Sequence, residues 1–588
     1  MPEEHARRPP LRLLALLYAL ALVPTLALAI RQPALSRVDE AAHFDVLAQY
    51  ARGVYPVLGS TEITDDTLSL MRRTGVVRWD IYLLPQPVPS RASFQELPGG
   101  ISASALTVWM QRHIWQFSYE AQQPPLYYAV ALPAWLLGRL LAGDLGALYA
   151  TRLFDALLLA LMAPLTFLLA SRVAQSRRVA AAAALAAVLV PGAVLNQTQV
   201  TNDVLATVLG ALAVLLAVSG VQEGWPPGRS TLLALATGGA VLSKSTAVGL
   251  LPVAGLALLL PAPSLRRLAG AGLVLAATLA PLVLLNEATY HALTPVATVR
   301  LFNTLDVEAF GASTAIGGLL NCFGTFWLGE PLLFTLRFGW PLAVLMAVAG
   351  VFAGVGIARL LLKDPQRRLG LGLVVAALVG QVAAAYAIMQ LGGWGFLPPG
   401  RYVYPALAAA ATLLAVGLAE EMGRYAAPVL FFLGSASAGL LLVFCFQSPE
   451  PPAGDRVPPS TSSLTQAAAS ASFEGVEVTI DEWAIDRSAG QTWVHVSVAN
   501  QSGGPVEWAP VPDLQIQGRT VAGADYWRST QLSERLAPGA TESGWIRLRV
   551  DPTALPAGAE ASLVFSKIAV DDYAQMGAAS LSVRLPRS

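Results

Sequence analysis

Val38-Asp39-Glu40-Ala41-Ala42-His43-Phe44 follows closely on an apolar run, residues 11–30, that carries no charge between Leu13 and Ile30. A run of about twenty such residues matches the thickness of a bilayer core. The chain therefore leaves the membrane next to two adjacent carboxylates and an imidazole. Charged groups at that boundary are costly and are usually retained for a task. The rest of the chain agrees with a membrane setting: hydrophobic residues make up 55%, charged residues 13%, and the mean hydropathy is +0.55. A soluble domain carries about 25% charged residues. The formal net charge of +0 removes any bulk attraction to nucleic acid or to an acidic surface, so no nucleic acid partner is expected. Cys322 and Cys445 are the only cysteines, which excludes a disulfide framework or a thiolate metal cluster.

Further apolar runs lie near 145–171, 179–195, 203–221, 231–247, 248–261, 268–286, 333–358, 370–390, 402–420 and 425–446. They predict a polytopic α-helical membrane protein of about 11 to 13 transmembrane helices. The short connections hold Arg7, Arg8 and Arg12; Arg172, Arg177 and Arg178; Arg266 and Arg267; Arg359, Lys363, Arg367 and Arg368; and Arg424. Under the positive-inside rule these face the cytosol. Residues 31–144, 198–203, 287–332, 391–401 and the C-terminal portion then lie outside the cytoplasmic membrane of a multi-pass protein. Residues 124–141 are apolar enough to span, but counting them would invert every later loop, so they are expected as an interfacial or re-entrant helix. The first run also resembles a signal peptide, with Ala27-Leu28-Ala29 as a cleavage site; its length favours a retained helix.

This divides the chain into a membrane domain, 1–446, with a large first external loop at 31–144. A Pro/Ser/Thr-rich linker follows at 447–469, and then a soluble domain at 470–588. In the last part Val476, Val478 and Ile480, then Val494, Val496 and Val498, then Ile546, Leu548 and Val550, then Leu581, Val583 and Leu585 alternate with polar residues. Period-two alternation in short runs predicts half-buried strands, hence a C-terminal all-β sandwich on the extracytoplasmic side. Trp483, Trp493, Trp508, Tyr526, Trp527 and Trp545 are either its core or a sugar-binding surface.

If residues 39–51 form a helix, Asp39 and His43 are four apart and share a face. They would then orient one another or bind one metal ion, while the competing reading makes Asp39 and Glu40 a helix N-terminal cap. Asp203, beside Asn202, is likewise a cap or a third ligand with Asp39 and His43 for a divalent cation such as Mg, Mn or Zn; a site without metal is equally compatible.

An Asp-Glu pair after the first membrane helix, with an aromatic four residues past the Glu, resembles the first-loop motif of the GT-C glycosyltransferases. These are polytopic enzymes that use lipid-linked sugars. The chain is similar to the protein O-mannosyltransferase and aminoarabinose-transferase type, and closer still to an uncharacterised bacterial membrane group whose signature reads Asp-Glu-x-x-His-Phe. Gln123-Pro124-Pro125-Leu126-Tyr127-Tyr128, Thr201-Asn202-Asp203, Ser243-Lys244-Ser245-Thr246 and Gly400-Arg401-Tyr402-Val403-Tyr404-Pro405 follow in the matching order. Gln123 stands where many relatives carry His. The resemblance implies a GT-C-like fold over roughly 11–446 and a transferase taking its sugar from a polyprenyl-phosphate donor in the bilayer. It also implies an extracytoplasmic acceptor: a cell-surface glycan, a lipid or a protein.

The chemistry suits these residue types. Phosphate is a good leaving group, so a single carboxylate base and cations for the departing charge suffice. Asp39 is expected as the base with Glu40 beside it, in a direct, inverting transfer. Lys244 and Arg401 are expected at the phosphate, the arginine as a bidentate fork and the lysine as a point charge. For Arg401 the alternative is snorkelling at the interface. His43, Asp203, Gln123 and Tyr402 complete the expected substrate contacts. Trp394, Phe396, Tyr402 and Tyr404 would stack on a sugar or an isoprenoid, or form an interfacial belt. Two other functions fit a polytopic chain. A flippase or transporter of a lipid-linked saccharide would carry mid-membrane charges and pseudo-symmetric halves, and a scaffold would merely present the sandwich.

Overall fold

A computed structural model of the chain describes residues 10–36, 39–75, 78–79, 85–86, 88–174, 176–260, 262–303, 312–329, 340–392, 398–446, 457–524, 529–530, 532–571 and 573–585. They fall into two compact units: residues 1–77, 88–90 and 115–449 form one, and residues 78–87, 91–114 and 450–588 the other. The parts of the expected linker at 447–456, and Trp394, Phe396, Tyr526 and Trp527, lie outside the described residues.

The first unit is helical. Its elements begin with α1 (Leu11–Arg31), α2 (Glu40–Ala51) and α3 (Asp65–Thr74). Residues 103–112 form α4 (Ala103–Arg112), which belongs to the other unit. Then come α5 (Leu126–Ala160), α6 (Met162–Val173), α7 (Arg177–Val188), α8 (Pro191–Gln197), α9 (Asp203–Glu223), α10 (Arg229–Ser243), α11 (Leu251–Leu259) and α12 (Leu265–Tyr290). The last are α13 (Val296–Asn303), α14 (Ala312–Leu328), α15 (Trp340–Lys363), α16 (Pro365–Leu391), α17 (Leu407–Met422) and α18 (Ala426–Phe446). Among the described residues 7 helical stretches are long and apolar enough to cross a membrane, or 8 if the bent pair α7–α8 counts as one. Two of these stretches, Leu126–Val173 and Gly400–Val443, each contain two helices. The chain is a multi-pass membrane protein.

Three expectations change in detail. The apolar runs expected at 231–247 and 248–261 divide earlier, where Lys244 takes an extended conformation (φ −150, ψ 128), leaving α10, a 3-10 segment at Ser245–Leu250, and the short α11. A lysine inside an unbroken span would be expensive; ending the helix at Ser243 brings it to a helix end instead. The expected loop 287–332 contains the apolar helix α14. Third, α5 is two arms joined at Ala142 (φ −148, ψ 27) and Gly143 (φ 63, ψ −152). A Cβ on Gly138 would lie 2.2 Å from the Gly146 carbonyl oxygen. A continuous helix would hold those residues about 12 Å apart, at about 1.5 Å per residue. The chain thus doubles back, and only glycines allow that approach. The arm 126–141 lies along α2 through Phe44 and Trp135, with ring centroids 5.7 Å apart. Its tip is bound to the first loop by Arg139–Asp66 at 2.8 Å and Arg73–Asp144 at 2.9 Å. Leu137, Leu140 and Leu141 are exposed there.

The opposite helix ends carry their own ion pairs: Arg172 and Arg229 with Glu223, and Arg359 with Glu421 at 2.7 Å.

The second unit holds β1 (Arg78–Trp79) and β2 (Pro85–Gln86), α4, and ten further strands. These are β3 (Ser463–Phe473), β4 (Val476–Asp486), β5 (Gln491–Asn500), β6 (Val506–Glu507), β7 (Asp513–Ile516), β8 (Arg519–Gly523), β9 (Arg535–Leu536), β10 (Thr541–Leu548), β11 (Glu560–Val570) and β12 (Gln575–Arg584). β10-β5-β4-β3 form one antiparallel sheet, and β8-β7-β11-β6-β9 with β12 on β11 form the other. Val476, Val478, Ile480, Val494, Val496 and Val498 from the first sheet and Leu563, Phe565 and Leu581 from the second share one core. The first strand begins at Ser463, inside the stretch read as linker, because Ala469 and Ala471 pair with Ile480 and Val478 and close that sheet's edge.

Candidate active site

Asp39 immediately precedes α2 and has left-handed backbone angles (φ 55, ψ −18), a conformation that asparagine and aspartate tolerate better than most residues. Its side chain makes no capping hydrogen bond to α2. The carboxylate instead meets Arg401 Nη2 at 2.7 Å, with the aspartate side chain 23% and the arginine side chain 15% exposed. Burial works to raise the Asp39 pKa, and the Arg401 guanidinium, helped by Lys244, outweighs it, so the carboxyl lies below its ordinary value.

Glu40, the next residue, faces elsewhere. Its two carboxylate oxygens accept from Arg152 Nε and Nη2, both at 2.7 Å, and Oε1 also accepts from the Val200 amide at 2.9 Å. The Ser36 amide is a further donor. Arg152 also donates to the Gln32 and Pro33 carbonyls. Neither side chain has any exposed surface. This clasp fixes the exit of α1, the start of α2 and the middle of α5 to one another.

Lys244 Nζ lies 2.6 Å from Asp203 Oδ1, and both side chains are buried. Asp203 therefore pairs with a cation and makes no cap of its own on α9. Tyr402 joins the two pairs: Lys244 Nζ lies 5.1 Å and Arg401 Cζ 5.6 Å from its ring centroid. Gln381 holds both irregular segments in place, its Nε2 donating to the Thr246 carbonyl at 2.7 Å and to the Tyr402 carbonyl at 2.8 Å. Gly249 and Gly380 permit that packing, since a Cβ on either would lie 2.6 Å from the other's carbonyl oxygen.

His43 is buried, and its Nδ1 lies 2.7 Å from the Tyr128 hydroxyl. Burial, acting against the fields of Asp39 and Asp203, drives its pKa down to about 3, so the ring is neutral near pH 7. Gln123 Oε1 accepts from Asn202 Nδ2 at 3.1 Å, and Asn202 also donates to the Ser243 carbonyl at 3.0 Å. Glu120, on the 3-10 turn Tyr119–Gln122, is buried; burial first and the charge on Asp39 second push its pKa up to about 7.

The candidate metal set does not assemble. Asp39 pairs with Arg401, Asp203 with Lys244, and His43 with Tyr128. Among the described residues no three His, Cys, Asp or Glu side chains come together in a metal-binding group. Asp39, Arg401, Asp203, Lys244, Tyr402 and His43, expected in one site, do converge. Glu40 stands beside them as part of the clasp, and Gln123 supports Asn202. Tyr404 is fully buried, its hydroxyl donating to the Phe326 carbonyl at 3.3 Å. Sequence reasoning passed over Arg152 and Gln381, and it met Tyr128 only as the end of the Gln123–Tyr128 motif. A lone arginine in an apolar run is a readable signal for Arg152; nothing in the local sequence singles out Gln381. In the second unit Trp483, Trp493 and Trp508 are core residues without exposed surface.

Residues 123–288 match the family model described as dolichyl-phosphate-mannose-protein mannosyltransferase. No curated protein matches the chain. Among solved structures, ArnT from Cupriavidus metallidurans bound to undecaprenyl phosphate is 15% identical, with a TM-score of 0.41 over 74% of this chain and 76% of that one. The Archaeoglobus fulgidus oligosaccharyltransferase, in complex with Zn and sulfate, is 14% identical, with a TM-score of 0.40 over 73% and 52%. Arabinosyltransferase EmbB from Mycobacterium smegmatis is 12% identical, with a TM-score of 0.29 over 99% and 64%. Residues 123–288 are thus similar to that mannosyltransferase family, in line with the resemblance carried by the sequence motifs.

Proposed function

We propose that the protein transfers a sugar from a polyprenyl-phosphate donor to a hydroxyl-bearing acceptor on the outer face of the cytoplasmic membrane. The observation that carries this reading is the double ion pair beside Tyr402: Asp39 with Arg401 and Asp203 with Lys244, at the ends of membrane helices. Two cations preset at an apolar boundary suit a lipid phosphate. The ammonium of Lys244 has three donors, and Asp203 occupies one; the arginine fork matches phosphate oxygens. Asp39, partly exposed beside them, is the carboxylate that takes the proton of the acceptor hydroxyl. Direct displacement at the anomeric carbon inverts its configuration. Neutral His43 supplies a hydrogen bond without adding charge. The site residues lie at the helix ends opposite the Arg172, Arg229 and Arg359 pairs, which supports an outward-facing site under the positive-inside rule.

The test is to give purified full-length protein a panel of polyprenyl-phosphate sugars and measure released polyprenyl phosphate. Release by the natural protein, reduced about 10²–10⁴-fold in Asp39→Asn, is the expected result, the usual range for loss of a positioned base. Movement of an intact lipid-linked saccharide between leaflets without release would point to a flippase instead.

A further inference from the structure

A cavity of about 500 Å³ lies between α7 and α18. On α7 it is lined by Arg178, Ala182, Leu185 and Leu189, and on α18 by Ala427, Phe431, Gly434 and Ala438. Both sets recur at steps of four, three and four, so each is one face of its helix. Small residues on those faces leave the room that larger side chains would fill, and Met346 of α15 and Leu414 of α17 complete the wall. Phe431, 77% exposed, brings the cavity to the lipid-facing surface. Arg178 is the one charged residue lining it among the described residues. It stands at the start of α7, shortly after Arg172, and α18 starts shortly after Glu421, so the charged mouth is at the helix ends away from Lys244 and Arg401. Arg172 and Arg359 at those ends have carboxylate partners; Arg178 is exposed and forms no ion pair among the described residues.

We propose that this groove binds one acyl chain of an anionic glycerophospholipid, with the lipid phosphate on Arg178. From Arg178 to Leu189 the α7 face runs about 16 Å, at about 1.5 Å per residue. Half of a hydrocarbon core about 30 Å thick is about 15 Å. The groove therefore has the depth of one leaflet, and it stops where α7 gives way to α8 at a bend of 52°. A chain that starts at a charged headgroup and ends near the midplane fits it; a chain that spans the bilayer does not. The guanidinium sets the headgroup chemistry, because its fork pairs bidentately with phosphate oxygens. A zwitterionic headgroup brings its own cation to that phosphate, whereas a glycerol headgroup leaves it to the arginine. Arg424, in the turn between α17 and α18, donates from Nη2 to the Tyr425 hydroxyl at 2.8 Å and adds a second cation at the same helix ends. Basic pockets between helices on the cytosolic side take anionic headgroups in this way, and the positive-inside rule puts Arg178 on that side. The site is separate from the glycosyl-transfer reading and does not depend on it.

The experiment strips endogenous lipid from the full-length protein in detergent. Binding of dioleoyl phosphatidylglycerol, dioleoyl phosphatidylcholine and glycerol 3-phosphate is then measured by native mass spectrometry, together with the thermal transition. Phosphatidylglycerol is expected to bind about fivefold more tightly than phosphatidylcholine, the scale of one arginine facing anionic lipid, and to raise the transition. Glycerol 3-phosphate, which has the phosphate without the chain, should not bind. Arg178→Gln makes the two phospholipids equal. Ala182→Phe, which fills the groove and leaves the arginine in place, weakens both; Ala438→Leu, on the opposite wall, makes the same test should Ala182→Phe fail to fold. Equal affinity of the natural protein for the two phospholipids, a preference that survives Arg178→Gln, or binding unaltered by filling the groove overturns the assignment. Glycerol 3-phosphate binding as tightly as phosphatidylglycerol overturns it too, since the acyl chain would then contribute nothing.

Discussion

Asp39 and Glu40 share a peptide bond and each meets an arginine at 2.7 Å, yet the two ion pairs are built for different ends. Glu40 and Arg152 have no exposed surface, and every oxygen of the carboxylate has a donor. Asp39 keeps 23% of its side chain exposed and meets Arg401 at one oxygen, without a backbone cap. A saturated pair locks chain segments together; an unsaturated one leaves acceptor capacity for a ligand. The left-handed backbone at Asp39 accompanies the divergence, with one carboxylate on Arg401 and the other in the clasp.

Breaking the clasp is expected to have the largest effect. Arg152→Met leaves a buried carboxylate without its cation, which costs about 3–5 kcal/mol when a buried pair loses one member. The expected outcome is a sharp loss of folded protein in detergent, seen in the yield and in the thermal transition, with transfer lost as a consequence. Adding Glu40→Gln to Arg152→Met should restore part of the stability. If Arg152→Met folds normally, the clasp is not what holds α1, α2 and α5 together.

Asp39→Asn sharpens the same contrast from the other side. A partly exposed pair contributes about 0–1 kcal/mol, so the melting transition should barely move, while release of polyprenyl phosphate falls about 10²–10⁴-fold. A large drop in stability with unaltered turnover per folded molecule would reverse the roles assigned to the two neighbours.

Much of this arrangement is legible in the sequence, and the illegible part has physical reasons. Asp39, Asp203, Lys244 and Arg401 stand out because each is a charge where apolar runs stop, and a bilayer makes such charges conspicuous. Their pairing does not follow from spacing, since Asp203 and Lys244 meet only because α9 and α10 return to the same end. The local pattern therefore shows three donors and two caps but not the cations supplied by remote segments. The alternation in 476–585 revealed the strands. It did not reveal that residues 91–114 of the first loop belong to the same unit, because a tertiary contact between distant segments leaves no period.

Gln381 comes next in expected size. Gln381→Leu removes both hydrogen bonds that tie the Lys244 and Tyr402 segments to α16, exposing two buried carbonyls at about 1–3 kcal/mol. The cations should then lose their common setting, so donor KM rises about tenfold, roughly the 1.4 kcal/mol scale of one lost interaction. Gln381→Glu keeps the shape and loses the donor, which separates geometry from volume. Unchanged KM in both variants would show that the ion pairs alone fix Lys244 and Arg401.

A third arginine–carboxylate pair, in the second unit, gives the smallest effect on transfer. Arg112 Nη1 lies 3.3 Å from Glu507, and Tyr573 donates its hydroxyl to the same carboxylate. Burial opposes the charge on Glu507, but Arg112 and then His113 overcome it and hold the pKa below the ordinary 4.5. The sign follows: a depressed folded pKa adds stability that is present above 4.5 and is lost as pH falls through the folded value. Glu507→Gln should therefore weaken this unit by about 1.5–3 kcal/mol near pH 7, the scale of a hydrogen bond to a charged group. The difference from the natural protein should shrink as the pH drops below 4.5. Fluorescence of the buried Trp483, Trp493 and Trp508 reports that unfolding directly. A stability difference that persists undiminished at pH 3 would mean that Glu507 acts there through packing rather than through its charge.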